Sequence, residues 1–246
     1  MTRLRGAGLA GGIVAAALLI SGCTGTTTAA PPATSQAAVV TPTPTPTPTP
    51  TVTAPAVEKP LSKTVDAGTV AAAVTATASG TGSSNVTYKR NGDFAVVVEL
   101  NCLGCAGTAT VTAPGRLSPF GQAEAPLRAS FLMDVFKDDP VSQTLIVKAT
   151  GPWKVTLRSW NDLTPVSGKQ SGAGPAVLFF SDDVKHVIVD YKPSGAGDSF
   201  SGRVFTTSDK PLVFGDSVSF AKKYDADLPG VMAIQTNGTW SVTPTP

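Results

Sequence analysis

Gly151-Pro152-Trp153-Lys154-Val155-Thr156 and Gly238-Thr239-Trp240-Ser241-Val242-Thr243 share one Gly-x-Trp-x-Val-Thr pattern. A second matching pair lies upstream of each. Ser79-Gly80-Thr81-Gly82 is followed six residues after Gly82 by Tyr88, and Ser171-Gly172-Ala173-Gly174 is followed six residues after Gly174 by Phe180. From the first glycine of the pair to the tryptophan is 73 residues in one copy and 68 in the other. A common start, end and length identify a tandem duplication whose boundary falls between Trp160 and Gln170. The expected bounds are 63–165 and 166–243, with 244–246 as a tail. The two copies together give about 165 residues, enough for a substantial core if they pack on one another.

Both copies read as β. In Trp153-Lys154-Val155-Thr156-Leu157-Arg158 apolar and polar residues alternate, as in a strand with one buried face, and Trp240-Ser241-Val242-Thr243 repeats the pattern. Phe94–Leu100, Ala106–Val111, Thr144–Val147, Ala176–Phe180, His186–Tyr191, Arg203–Thr206 and Val231–Ile234 are further short β-branched or aromatic runs. Turn residues such as Asn91-Gly92, Gly195-Ala196-Gly197 and Asn237-Gly238 punctuate them. Only Gln122–Lys137 and Phe220–Asp227 have helical composition. Val70–Ala78 is alanine-rich, but its alternating Val and Thr favour an entering strand. The expected fold is all-β, with two tandem β-sandwich, jelly-roll-like units after a disordered linker. The Gly-x-Gly opening and Gly-x-Trp-x-Val closing strand resemble small β-sandwich repeats of secreted and lipid-anchored proteins from high-GC Gram-positive bacteria. That resemblance implies a fold and a location, and brings no catalytic residues with it.

At the other end of the chain, Ile20-Ser21-Gly22-Cys23 resembles the lipobox of bacterial lipoproteins. Arg3 and Arg5 form a positive n-region, and Leu9–Ile20 is an uncharged apolar run of signal-peptide length. A spanning helix needs roughly 20 apolar residues, and this run is shorter and rich in glycine. The resemblance implies cleavage after a 22-residue signal peptide, acylation of Cys23, and attachment to the outer face of the cell membrane through the acyl chains. The alternative is an ordinary secretory signal cut elsewhere. Loss of the first 22 residues leaves 17 basic and 17 acidic residues, so charge gives no reason to expect nucleic acid as a partner.

From Cys23 to residue 62 the chain is Thr, Ala, Pro, Ser and Val with almost no charge and no aromatic residue. The strict Thr-Pro alternation of Thr41–Pro50 removes every second amide hydrogen and favours polyproline II. This is a semi-rigid spacer that would lift a folded part off the membrane, and its threonines are candidate O-glycosylation sites. A PxxP-type ligand is the competing reading. Thr243-Pro244-Thr245-Pro246 has the same composition and reads as a loose tail.

Few residues suggest chemistry. Cys102-Leu103-Gly104-Cys105 has redox or zinc spacing, yet strand-like sequence follows it, and His186 is the single histidine. In an oxidising exterior a local disulfide is expected. Gly197-Asp198-Ser199 and Gly215-Asp216-Ser217 resemble the nucleophile block of GDSL-type hydrolases, with His186 as the one available base, although that histidine lies within an alternating strand pattern. Asp138-Asp139, Asp182-Asp183 and Asp225-Ala226-Asp227 could bind calcium or serve glycoside hydrolysis, or be solvated loop charges. Gly80/Gly82 and Gly172/Gly174 lack the βαβ setting of a phosphate loop and mark tight turns into a strand.

Trp160 stands on the side opposite Trp153, Val155 and Leu157 by alternation. It would either stack on a sugar or protein partner, with Tyr224 as a second aromatic, or fill the junction between the copies. The sequence thus predicts a non-catalytic, lipid-anchored binding or structural module, with a cell-wall glycan or surface protein as partner and no cofactor or metal. A carbohydrate-binding module is the alternative, and a surface hydrolase a more distant one.

Overall fold

The computed structural model describes residues 56–134, 138–206 and 210–246. The expected signal peptide, Cys23 and most of the expected Thr/Pro spacer lie outside them. Nine strands make the first copy: β1 (Thr64–Ala71), β2 (Ala76–Thr81), β3 (Ser84–Asn91), β4 (Val96–Cys102), β5 (Ala106–Thr112), β6 (Gly121–Glu124), β7 (Leu127–Met133), β8 (Ser142–Thr150) and β9 (Pro152–Ser159). After a 3-10 turn at Trp160–Asp162 come nine more: β10 (Pro165–Val166), β11 (Gln170–Ala173), β12 (Ala176–Phe180), β13 (His186–Lys192), β14 (Phe200–Phe205), β15 (Leu212–Asp216), β16 (Phe220–Asp225), β17 (Gly230–Gln235) and β18 (Thr239–Thr245).

The sheets are β2-β9-β4-β7 facing β1-β3-β8-β5-β6, then β11-β18-β13-β16 facing β10-β12-β17-β14-β15. Adding nine to each label of the first copy reproduces the second. Without β1 and β10, which join their sheets parallel to β3 and β12, each copy is an eight-stranded jelly roll. The all-β, tandem-sandwich expectation therefore holds.

The repeated motif explains itself in this arrangement. Gly80 pairs with Trp153 across β2 and β9, and Gly172 with Trp240 across β11 and β18. A Cβ on Gly80 would lie 2.4 Å from Trp153 Cζ2, and one on Gly172 2.6 Å from Trp240 Cζ2, so only glycine leaves room for the ring. The second glycine of each pair turns the chain with φ +70° at Gly82 and +74° at Gly174. Its carbonyl accepts the indole N–H, at 2.6 Å for Trp153 and 2.8 Å for Trp240. Its own N–H donates to the glycine two residues before the tryptophan, Gly82 to Gly151 and Gly174 to Gly238. The buried indole is thus fully satisfied while it ties the first strand of the jelly roll to the last.

The cores differ in how they are filled. Val86, Tyr88, Val98, Leu100, Phe131, Leu145 and Trp153 fill the first. The second is aromatic around Tyr191, Phe200, Phe214, Phe220 and Trp240, with Tyr191 and Phe200 ring centroids 5.5 Å apart. By register, Cys102 occupies the place of Tyr191. The disulfide from Cys102 to Cys105 staples in one copy the strand end that aromatic packing holds in the other.

Three expectations are corrected. Gln122–Lys137 is not helical: it holds β6 and β7, since Leu127, Ala129, Phe131 and Met133 point into the core while Arg128 faces out; residues 135–137 lie outside the description. Phe220–Asp225 is strand β16, paired along its length with β13. The C-terminal Thr-Pro residues are not loose, because β18 continues through Pro244 and Thr245 opposite Val187 and His186. Proline sits there beyond the reach of β11, which bonds β18 only from Thr239 to Val242, so that this end of β18 has a neighbouring strand on one side only. The Val70–Ala78 stretch is β as expected, broken by a turn between β1 and β2 at Ala73 (φ 57°).

The described residues all belong to one compact unit, and the two sandwiches meet through outward sheet faces. Val97 and Leu132, cross-strand partners on β4 and β7, pack against Val177, Val231 and Ala233 of β12 and β17. Arg203 bonds Asp134 at 2.6 Å at the margin. On the first sandwich the rung equivalent to Val177-Ala233-Arg203 is Asn85-Ile146-Thr112. Residues 56–62, placed in the linker from sequence, lie across it. Leu61 exchanges two hydrogen bonds with Asn85, Glu58 bonds the backbone of Gly115 and Arg116, and Ile146 between them is fully buried.

Gly80→Ala and Gly172→Ala should each destabilise the protein by about 2 kcal/mol through overpacking against the indole. Thermal unfolding followed by tryptophan fluorescence measures this; an unchanged midpoint in both variants would show that the glycine-indole contact is not required.

Candidate functional site

The groove with the strongest chemical character is floored by the outward face of β4, β7 and β9. Strand register places Lys154, Asn101 and Arg128 on one rung, and Thr156, Glu99 and Ser130 on the next. With strands about 5 Å apart, the Lys154 and Arg128 backbones stand roughly 10 Å from each other. Ala173, Pro175 and Ala176 of the second sandwich form the wall, and the open groove has a volume of about 580 Å³. Ser130 fixes that wall: its Oγ accepts from Val177 N at 2.7 Å, and its N–H donates to Pro175 O at 3.3 Å.

Charge in the groove is unbalanced. Glu99 is engaged by Arg158 (Nε to Oε1 3.0 Å), which neutralises the one carboxylate among the described residues of the groove. Neither Arg128 nor Lys154, both exposed, pairs with a carboxylate among the described residues. The duplicate face on β13, β16 and β18 has a second open depression lined by Asp190, Lys192, Ala221, Thr239 and Ser241. Register aligns Asn101, Arg128 and Lys154 with Asp190, Ala221 and Ser241. The cationic rung belongs to the first copy alone. Where Val97 and Leu132 form the apolar junction, the second copy has His186 and Asp225, bonded at 3.0 Å and facing solvent.

Sequence-predicted residues disperse. Trp160 is in the junction, half-buried, with its ring edge-on to Phe205 at 6.1 Å and 71°. Tyr224 stacks on Phe214 with centroids 4.1 Å apart. Neither forms a sugar platform in the groove. Cys102 and Cys105 are buried and joined as expected, whereas Cys23 lies outside the described residues.

Gly197-Asp198-Ser199 lies in the loop that leads into β14, and Gly215-Asp216-Ser217 ends β15 and enters a bend. Asp198 Oδ1 accepts from Ser199 N, and Asp216 Oδ1 from Ser217 N, each at 2.8 Å. His186 bonds Asp225 at one end of β13, while Ser199 and Ser217 lie near Phe200 and Phe220, which pack on Tyr191 five residues along. That places the histidine about 16 Å of strand from either serine. Asp182 accepts from Gly168 N and Asp227 pairs with Lys185, and no group of three metal-ligating side chains occurs among the described residues. Neither a protein-family model nor a curated protein sequence matches this chain.

Asp198 organises the neighbouring loops instead. Besides Ser199 it accepts from Ser194 N at 3.0 Å, Asn237 N at 2.9 Å and Thr236 Oγ1 at 3.2 Å. Partial burial pushes its carboxyl up, but the Asn237 and Ser194 donors outweigh this and hold it below the ordinary range.

Trp160→Ala should lower stability by about 2 kcal/mol in thermal unfolding, as expected for a half-buried junction aromatic. Asp198→Asn should cost about 1 kcal/mol at pH 7. Because folding lowers the Asp198 pKa, its contribution is complete above the unfolded value near 4 and is lost as pH falls through the folded value. The gap between wild type and Asp198→Asn in denaturant titrations should therefore close in acid; a constant gap from pH 7 to pH 2 would contradict this role.

Proposed function

We propose that the chain is a lipid-anchored cell-surface protein whose paired jelly rolls act as a non-catalytic extracellular binding module. The observation that carries the location is Ile20-Ser21-Gly22-Cys23 at the end of a charged-then-apolar leader. Diacylation would hold the protein far more firmly than one chain, at roughly 0.8 kcal/mol for each buried methylene. The Thr/Pro spacer would then present the sandwiches away from the bilayer. Support for binding comes from the groove, a polar surface at the meeting of two sandwiches whose cations pair with no carboxylate among the described residues. Its floor is built on strands, which hold side chains in a fixed pattern.

In cells that process lipoproteins, the full chain should incorporate radiolabelled palmitate and fractionate with the membrane. Cys23→Ala should lose the label and leave the membrane fraction. An unlabelled wild type, or a Cys23→Ala variant still held at the membrane, would overturn the anchoring.

A further inference from the structure

Three properties of the groove on β4, β7 and β9 select its ligand. The first is charge: Arg128 and Lys154 flank Asn101 on one rung, and the groove's carboxylate is already matched by Arg158. The second is how little strand edge the floor offers: β4 and β9 are bonded on both sides, and the outer edge of β7 meets Pro175 and Val177 at Ser130. An extended peptide has only the Arg128 end of β7 to pair with, so recognition falls mainly to side chains. The third is lining chemistry. Asn101 and Thr156 offer short donors and acceptors, and among the described residues no aromatic ring lines the groove on which a base could stack.

We propose that this groove binds an acidic polysaccharide. Arg128 and Lys154 hold its carboxylate or phosphate groups, and Asn101 and Thr156 bond its hydroxyls. Arginine suits such oxyanions because its fork of donors matches two oxygens at once. The duplicate face is an internal control: Ala221 and Ser241 replace the cations, and Asp190 replaces Asn101. The proposal rests on the reading of the chain as a non-catalytic surface binder and names its ligand. Its test does not depend on acylation of Cys23.

The test is affinity electrophoresis of the full-length protein, in non-ionic detergent, through gels holding polygalacturonate, a phosphomannan, neutral dextran or single-stranded DNA. Retardation is expected with one of the two acidic glycans, which also tells carboxylate from phosphodiester. Arg128→Gln and Lys154→Gln should each weaken it about tenfold. Lys192→Gln/Lys223→Gln, on the other sandwich, should leave it unchanged. Both groove residues are exposed, so unaltered thermal melts will confirm that the variants fold. The proposal is overturned if neither acidic glycan retards the protein, if dextran or DNA retards it equally, or if the Arg128→Gln/Lys154→Gln double variant binds like wild type.

Discussion

Each jelly roll depends on an indole N–H bonded to a glycine carbonyl. Trp153 reaches Gly82 and Trp240 reaches Gly174, and each ring lies over the bare Cα of a glycine two residues earlier. A jelly roll has to bring its first strand beside its last, which is a costly closure of a long loop. The tryptophan supplies the largest apolar side chain at that meeting point. Its one polar atom finds a partner only if the opposing strand turns at the second glycine. Strand identity, turn geometry and hydrogen bonding are thereby fixed together, and they are fixed in the same way in both copies.

Around this shared device the copies have diverged in ways that tell their roles apart. Val97 and Leu132 turn the outer face of the first sandwich into a junction, and the equivalent His186 and Asp225 leave the same face of the second polar. The opposite face of the first sandwich is sealed by residues 56–62 through Glu58 and Leu61. Apolar faces are thus matched once, between the copies, and the outward faces are closed by a strap or by an ion pair. Such closure disfavours continued head-to-tail stacking. The groove is a product of that single junction, because its floor comes from one sandwich and its wall from the other.

The duplication was legible in sequence because a Trp-Gly contact demands particular residues at particular spacings. Alternation likewise revealed β9 and β13, whose more and less buried positions switch one by one, whereas β4 was marked only by its run of β-branched residues. β7 and β16 were obscured. Ala, Glu, Leu, Arg and Met around residues 122–133 suit a helix locally, and only pairing with β4, distant in sequence, makes that segment a strand. The groove was hidden for the same reason. Arg128 sat in an expected helix and Lys154 on an unremarkable polar face, and register alone sets both beside Asn101. The Gly-Asp-Ser triplets resemble a nucleophile block in composition only locally: one lies in a loop, the other ends β15, and His186 stands about 16 Å of strand away from both.

Hydrogen exchange of the three indole N–H groups, followed by NMR, tests the central claim most directly. If the Trp153 and Trp240 bonds to Gly82 and Gly174 hold the two jelly rolls closed, both indoles exchange only through global unfolding, far more slowly than Trp160 in the junction. Exchange of either Trp153 or Trp240 at the rate of a solvent-exposed indole, in the folded protein, would contradict it.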